Sequence, residues 1–169
     1  MHLIIDIGNT SAKIAVFSQG EMIDIVRCSN QSLEGLDELC QQYPIQKGIW
    51  ASVISISEEI QQQLQQLPFP MMEFTYQTPI PIRNLYQTPQ TLGVDRLAAV
   101  IAAYTQKPHH PALVIDAGTC ITYDFIDEFG QYQGGNISPG MEMRFKALHE
   151  FTSKLPQIQA SGETPYYGN

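Results

Sequence analysis

Apolar residues fall into two rhythms along the chain. Short runs, alternating or continuous, predict strands at about 2–7, 11–17 and 21–28, and again at 47–54 and 70–75. Between them the spacing changes to threes and fours. Leu33, Leu36, Leu39 and Cys40 form the stripe of a helix over 32–42, and Ile60, Leu64 and Leu67 that of a helix over 57–67, whose Gln-rich body is its wet side. Pro79, Pro81 and Pro89 exclude regular helix or central strand from the connector Thr78 to Pro89, and a lobe boundary is expected near its end, dividing 1–88 from 89–169. Val94, Leu97, Ala98 and Ile101 predict a helix from about Leu92 to Tyr104. Two more strands, 113–117 and 121–126, precede a glycine-rich turn, Gly134 to Gly140. A helix over 139–155 is then expected, with Ser138 as N-cap, Pro139 in its first position, and Met141, Phe145, Leu148 and Leu155 facing a core.

Within this α/β order the chain says nearly the same thing twice. Leu3-Ile4-Ile5-Asp6-Ile7-Gly8-Asn9-Thr10, followed by the alternating run Ala12 to Phe17, is echoed by Leu113-Val114-Ile115-Asp116-Ala117-Gly118-Thr119, followed by Ile121 to Ile126. Asp6 corresponds to Asp116 and Gly8 to Gly118, 110 residues apart in both cases. Each copy reads as a buried strand ending in a carboxylate, a glycine turn with a Thr hydroxyl, and a returning strand. Glycine lets backbone N–H groups approach phosphate oxygens, and Thr adds a donor. A carboxylate cannot face a polyphosphate directly, so Asp6 and Asp116 imply bridging cations, Mg²⁺ first among them, with Lys13 adding positive charge at the first hairpin. A single Asp-x-Gly more often caps a hairpin turn. A matched pair points instead to a cleft with a phosphate loop on each side.

Charge and composition narrow the partners. At 169 residues and 43% apolar content the chain fits one ordinary domain or two small ones. With no 18-residue apolar run and no basic, apolar leader, neither a membrane span nor a signal peptide is expected. Cys28, Cys40 and Cys120 are odd in number and lack CxxC spacing, which suits a reducing cytoplasm and argues against a zinc site or disulfide framework. The triplets at Asn9, Asn30 and Asn136 are then chance matches to the glycan signal. A net charge of −8 disfavours nucleic acid and leaves anions to be handled through bound cations. GxxxxGK[ST], GxSxG, HExxH and a strand-linked GxGxxG are missing, so a phosphate site here is of another kind.

The segment Gly93-Val94-Asp95-Arg96 opens the predicted helix at residue 92 with charges off its apolar stripe. Asp95 suits the helix dipole, and so has an ordinary reason to be there. Arg96 opposes the dipole and needs another reason. Gly93 leaves room for a ligand to approach the backbone.

Four ordered motifs, Asp6-Ile7-Gly8-Asn9-Thr10, Gly93-Val94-Asp95-Arg96, Asp116-Ala117-Gly118-Thr119 and Gly134-Gly135-x-Ile137-x-Pro139-Gly140, closely resemble those of type III pantothenate kinase. The resemblance implies two ribonuclease-H-like lobes of the actin-like ATPase type, within the acetate and sugar kinase superfamily. It also implies ATP-dependent phosphorylation of pantothenate, the first step of coenzyme A synthesis, by a cytoplasmic homodimer that uses Mg²⁺ and potassium or ammonium. Asp6, Ile7, Gly8, Asn9, Thr10, Ser11, Ala12 and Lys13 match the family's first ATP loop, with Asp6 near the metal. Thr119 matches the other ATP contact and Asp116 the monovalent-cation ligand. Asp95 matches the general base, and Tyr86, Gly93, Val94, Asp95 and Arg96 match the pantothenate pocket. The family pattern continues past Tyr167-Gly168-Asn169, so a truncated second lobe with uncovered apolar faces is expected. A nucleotide-binding regulatory protein on the same scaffold, without kinase activity, is the alternative, and Asp95 distinguishes the two.

Overall fold

The computed structural model describes residues 1–159, and its strands gather into two sheets. The first comprises β1 (His2–Ile7), β2 (Ala12–Ser18), β3 (Glu21–Cys28), β4 (Lys47–Ser52) and β5 (Met71–Glu73) in the order β3-β2-β1-β4-β5. β1, β2 and β3 form an antiparallel meander, while β4 and β5 continue it in parallel. Parallel pairing demands a crossover, and two helices supply it: α1 (Leu36–Gln42) and α2 (Glu58–Gln65). Both cover one face of the sheet. Leu3, Ile5 and Ile7 of β1 alternate into that face and pack with Ile14 and Val16 of β2, Leu36 and Leu39 of α1, and Ile60 and Leu64 of α2. Ser57 caps α2, its hydroxyl accepting from the Ile60 N–H at 3.3 Å.

The second sheet repeats the meander. It contains β6 (Arg83–Asn84), β7 (Ala112–Ala117), β8 (Cys120–Ile126) and β9 (Gln131–Pro139) in the order β6-β9-β8-β7, with β7, β8 and β9 antiparallel. Its core shares residues with the first lobe. Leu97 and Val100 of α3 (Val94–Gln106), Ile126 of β8 and Tyr132 of β9 are buried together with Phe74, just after β5, and the half-buried Ile49 and Ala51 of β4 pack against them. The long helix α3 therefore packs against both β7 and β8 and against β4. Anything in its first turn lies where the two lobes meet.

Several expectations need correction. Leu33 is buried, as its place in the stripe suggested, but precedes the helix: Leu33 and Gly35 both have positive φ, which delays the start of α1 to Leu36. Residues 134–139 are strand rather than turn. Glycine there serves close approach, because a Cβ on Gly135 would collide with the Tyr123 carbonyl and the Asp124 carboxylate. Pro139, lacking an N–H, closes β9, and the final helix, α4 (Met141–Glu150), starts after Gly140. Ser138 is not its N-cap; its hydroxyl accepts from Arg144 at 3.3 Å. The stripe Met141, Leu148 and Leu155 is exposed rather than core. Leu113, Ile115 and Phe125, on the sheet face away from α3, are exposed as well. Arg83 and Asn84, on the first-lobe side of the division drawn at residue 88, pair with β9. The truncation expected after Tyr167 falls outside the described residues.

Gly140 seats α4 on the second hairpin. Its N–H donates to the Thr119 carbonyl at 3.0 Å, and a Cβ there would strike the Gly118 and Thr119 backbone oxygens. Gly140→Ala is expected to cost about 1–3 kcal/mol of stability through this overpacking, read as a lower urea midpoint at unchanged slope.

Candidate active site

Two tight hairpins each contribute a carboxylate to one cleft. In the first, Gly8 N–H donates to the Ser11 carbonyl at 3.0 Å; in the second, Gly118 N–H donates to the Cys120 carbonyl at 2.8 Å. The turns meet across the lobes, Thr10 Oγ1 lying 2.9 Å from Thr119 Oγ1. Behind them opens a cleft of about 650 Å³ whose wall includes Asp6, Asp95 and Asp116. Ile4, Ile49, Trp50, Phe74, Ala98 and Ile101 supply most of the remaining lining. Three carboxylates among apolar walls make an anionic floor suited to cations and to proton acceptance.

The two hairpin carboxylates differ in their partners. Asp6 faces Lys13 across the β1–β2 ladder, and the Lys13 ammonium sits 3.3 Å from its Oδ2. Both side chains are nearly half exposed, 42% for Asp6 and 44% for Lys13, so this pair adds little stability but fixes a cation at the loop. Asp116 faces Thr122 in the equivalent position. Among the described residues Asp116 has no ion-pair partner.

Asp95 stands exposed in the first turn of α3, and its Oδ1 accepts the Arg96 N–H at 2.8 Å. Gly93 makes that possible, since a Cβ at 93 would collide with the Asp95 carboxylate. The side chain of Arg96 turns the other way. It is 6% exposed, and its Nε and Nη2 donate to Asp124, itself 1% exposed, at 3.1 and 2.6 Å. Tyr132 donates its hydroxyl to Asp124 at 2.6 Å, and Tyr86 stacks on Tyr132 with ring centroids 6.3 Å apart. Arg96 also lies over the Tyr86 ring, 6.0 Å from its centroid. Hydrogen bonding to Asp124 raises the Arg96 pKa further, against the effect of burial. Burial, then the bond to Asp124, raises that of the Tyr132 phenol.

Asp6, Asp95 and Asp116 thus line one cleft, whereas Lys13, Thr10 and Thr119 are not among its lining: Lys13 reaches it through Asp6, and the two threonines pair with each other. Gly93 and Val94 line an adjoining cavity of about 460 Å³ together with Ser52 to Ser55 and Tyr76. Tyr86 and Arg96 line neither space; they belong to the Asp124 network. Ile7 and Ala12 are fully buried and offer the loop backbone only. Asp124, Tyr132 and Asn30 escaped the sequence reading. Asp124 left one trace, a carboxylate in the interior of a strand between Tyr123 and Phe125.

A family model described as Type III pantothenate kinase matches residues 2–168. The type III pantothenate kinase of Phocaeicola vulgatus is 61% identical over 99% of this chain, which spans 69% of that protein. That of Bacteroides fragilis is 54% identical over the same shares. Among solved structures, a Campylobacter jejuni protein described as a conserved Baf family transcriptional activator superposes with TM-score 0.55 at 24% identity, covering 98% of this chain and 68% of that one. A Sinorhizobium meliloti protein described as a 2-dehydro-3-deoxygalactonokinase gives 0.50 at 11% identity, over 90% and 57%. These two likenesses concern the fold.

The buried network makes two predictions. Asp124→Ala strands the Arg96 charge and is expected to cost about 3–5 kcal/mol, whereas Arg96→Met with Asp124→Leu recovers most of that loss; chemical denaturation of both variants checks it. Raising the folded-state pKa of Tyr132 favours its protonated form. Its contribution is complete below the unfolded tyrosine value near about 10 and is lost as pH rises through the higher folded value. Wild-type stability should therefore fall more steeply above about pH 10 than that of Tyr132→Phe, in thermal melts run across that range.

Proposed function

This chain belongs to the type III pantothenate kinase family, and we propose that it transfers the γ-phosphoryl group of ATP to the hydroxyl of pantothenate, opening coenzyme A synthesis. The observation that carries the reading is the placement of Asp95 in one cleft with the carboxylates of both duplicated hairpins. Phosphoryl transfer requires in-line positioning, charge neutralisation and a group to orient the nucleophile. The hairpins offer backbone N–H groups, the Thr10 and Thr119 hydroxyls and the Lys13 ammonium to the phosphates. Asp95 accepts the proton as the hydroxyl oxygen attacks the γ-phosphorus and ADP leaves. The anchoring of Arg96 beside it holds that carboxylate in place.

The residues fit the expected cations. Among the described residues no three His, Cys, Asp or Glu side chains, the cleft aspartates included, converge closely enough to hold a metal ion by themselves, so Mg²⁺ would be held through phosphates, water and one carboxylate, Asp6. When bound, Mg²⁺ neutralises charge on the transferring phosphates. Asp116 lacks the lysine that its counterpart has, and a carboxylate without a built-in cation is the place for potassium or ammonium. The binding of pantothenate through Tyr86, Gly93, Val94 and Arg96, a cytoplasmic setting and a homodimer complete the reading, as the family resemblance implies.

The test is ADP release by the enzyme with a panel of hydroxyl acceptors; pantothenate should be preferred, and absence of turnover with every acceptor would leave a binder. Asp95→Asn keeps the shape but loses the base, so kcat is expected to fall roughly 10²–10⁴-fold with ATP binding little changed. A folded variant with wild-type kcat would reject the assignment. Asp6→Asn should lower turnover by orders of magnitude even at saturating Mg²⁺. Asp116→Asn should instead blunt activation by potassium or ammonium, and an unaltered cation dependence would reassign Asp116.

A further inference from the structure

Asn30 lies in the turn that follows β3, half buried, far in sequence from the hairpin it touches. Its Nδ2 donates to the Gly8 carbonyl at 2.9 Å and to the Asn9 carbonyl at 3.0 Å. Both partners are acceptors, so only the nitrogen of the amide can face them, which fixes its orientation. A trans peptide points its C=O and the following N–H in opposite directions. Holding the Gly8 and Asn9 oxygens toward Asn30 therefore turns the N–H groups of Asn9 and Thr10 away from it. Neither N–H has a hydrogen-bond partner among the described residues. Thr10 carries its hydroxyl to Thr119, so the loop is presented to the opposite lobe.

We infer that Asn30 is a positioning residue for the nucleotide: one side-chain amide, gripping two carbonyls from behind, aims two successive backbone donors at the phosphates. This rests on the reading of the first hairpin as the ATP loop. The second hairpin is held differently, with the Gly140 N–H on the Thr119 carbonyl at 3.0 Å. Asn30 is thus the first lobe's own device. Its substitution should weaken the nucleotide and leave the acceptor alone.

The experiment compares wild type with Asn30→Ala and Asn30→Asp, measuring ATP binding by calorimetry and the KM for ATP and for pantothenate separately. Asn30→Ala frees both carbonyls and should weaken ATP roughly tenfold, while the KM for pantothenate stays within about twofold and the melting temperature moves little. Asn30→Asp, which sets a carboxylate against two carbonyls, should weaken ATP more at neutral pH. It should regain part of that loss as the pH is lowered and the carboxyl becomes a donor, a trend Asn30→Ala cannot show. Unchanged ATP binding in both variants, or parallel rises in the two KM values, would overturn the inference. Weakened ATP binding in a protein that phosphorylates no acceptor would instead discard pantothenate and keep the role of Asn30.

Discussion

A guanidinium and a carboxylate that are almost wholly excluded from water fix α3 to β8, and with it the helix that packs against both sheets. Taking either ion from solvent costs several kcal/mol, and the cost is recovered only where geometry is good and the remaining lone pairs are used. Arg96 meets Asp124 through both Nε and Nη2, and Tyr132 occupies a further acceptor site on the same carboxylate. An apolar contact of similar area is non-directional, whereas these bonds fix both the roll of α3 about its axis and its height on β8. Asp95 is the preceding residue, about 100° around the helix. Fixing one side chain inward therefore fixes the other at the cleft.

The same logic explains why the glycines sit where they do. Gly135 gives Asp124 its space, Gly93 gives Asp95 its own, and Gly140 lets a helix rest on the second hairpin. In each case a Cβ would press on an oxygen that the site employs. The glycine-rich motif near residue 134 is thus a packing requirement of the carboxylate network and the second loop, not a loop in its own right.

What the sequence revealed follows from what it encodes locally. Strand alternation and the Asp-x-Gly turns are short-range patterns, so the duplicated hairpins, the helices α2 and α3 and the three cleft carboxylates were legible. Leu33 was legible as a core residue but not as one outside α1, because positive φ at Leu33 and Gly35 leaves no mark in apolar spacing. Residues 134–139 were misread because glycine and proline signal turns unless a neighbouring strand demands close approach. Arg96 announced only a conflict with the helix dipole. Its resolution lies at Asp124, 28 residues on, and Asn30 is likewise 22 residues from the carbonyl it holds. Such partnerships exist only once the chain is folded.

The hydroxyl pair between the two loops bears on how a polyphosphate enters. Thr10 and Thr119 stand 2.9 Å apart and are exposed, so the two loops touch where the phosphates are proposed to lie. A neutral hydroxyl–hydroxyl bond contributes only about 0.5–1.5 kcal/mol net, while a bond to an anionic phosphate oxygen is roughly twice as strong. Exchanging one for two of the other favours the nucleotide without rearranging either hairpin, because each turn is braced by its own backbone bond and by an outside donor, Asn30 or Gly140. The contact that joins the two loops is a neutral hydroxyl pair, and the groups that would release it are the ones proposed to grip the phosphate.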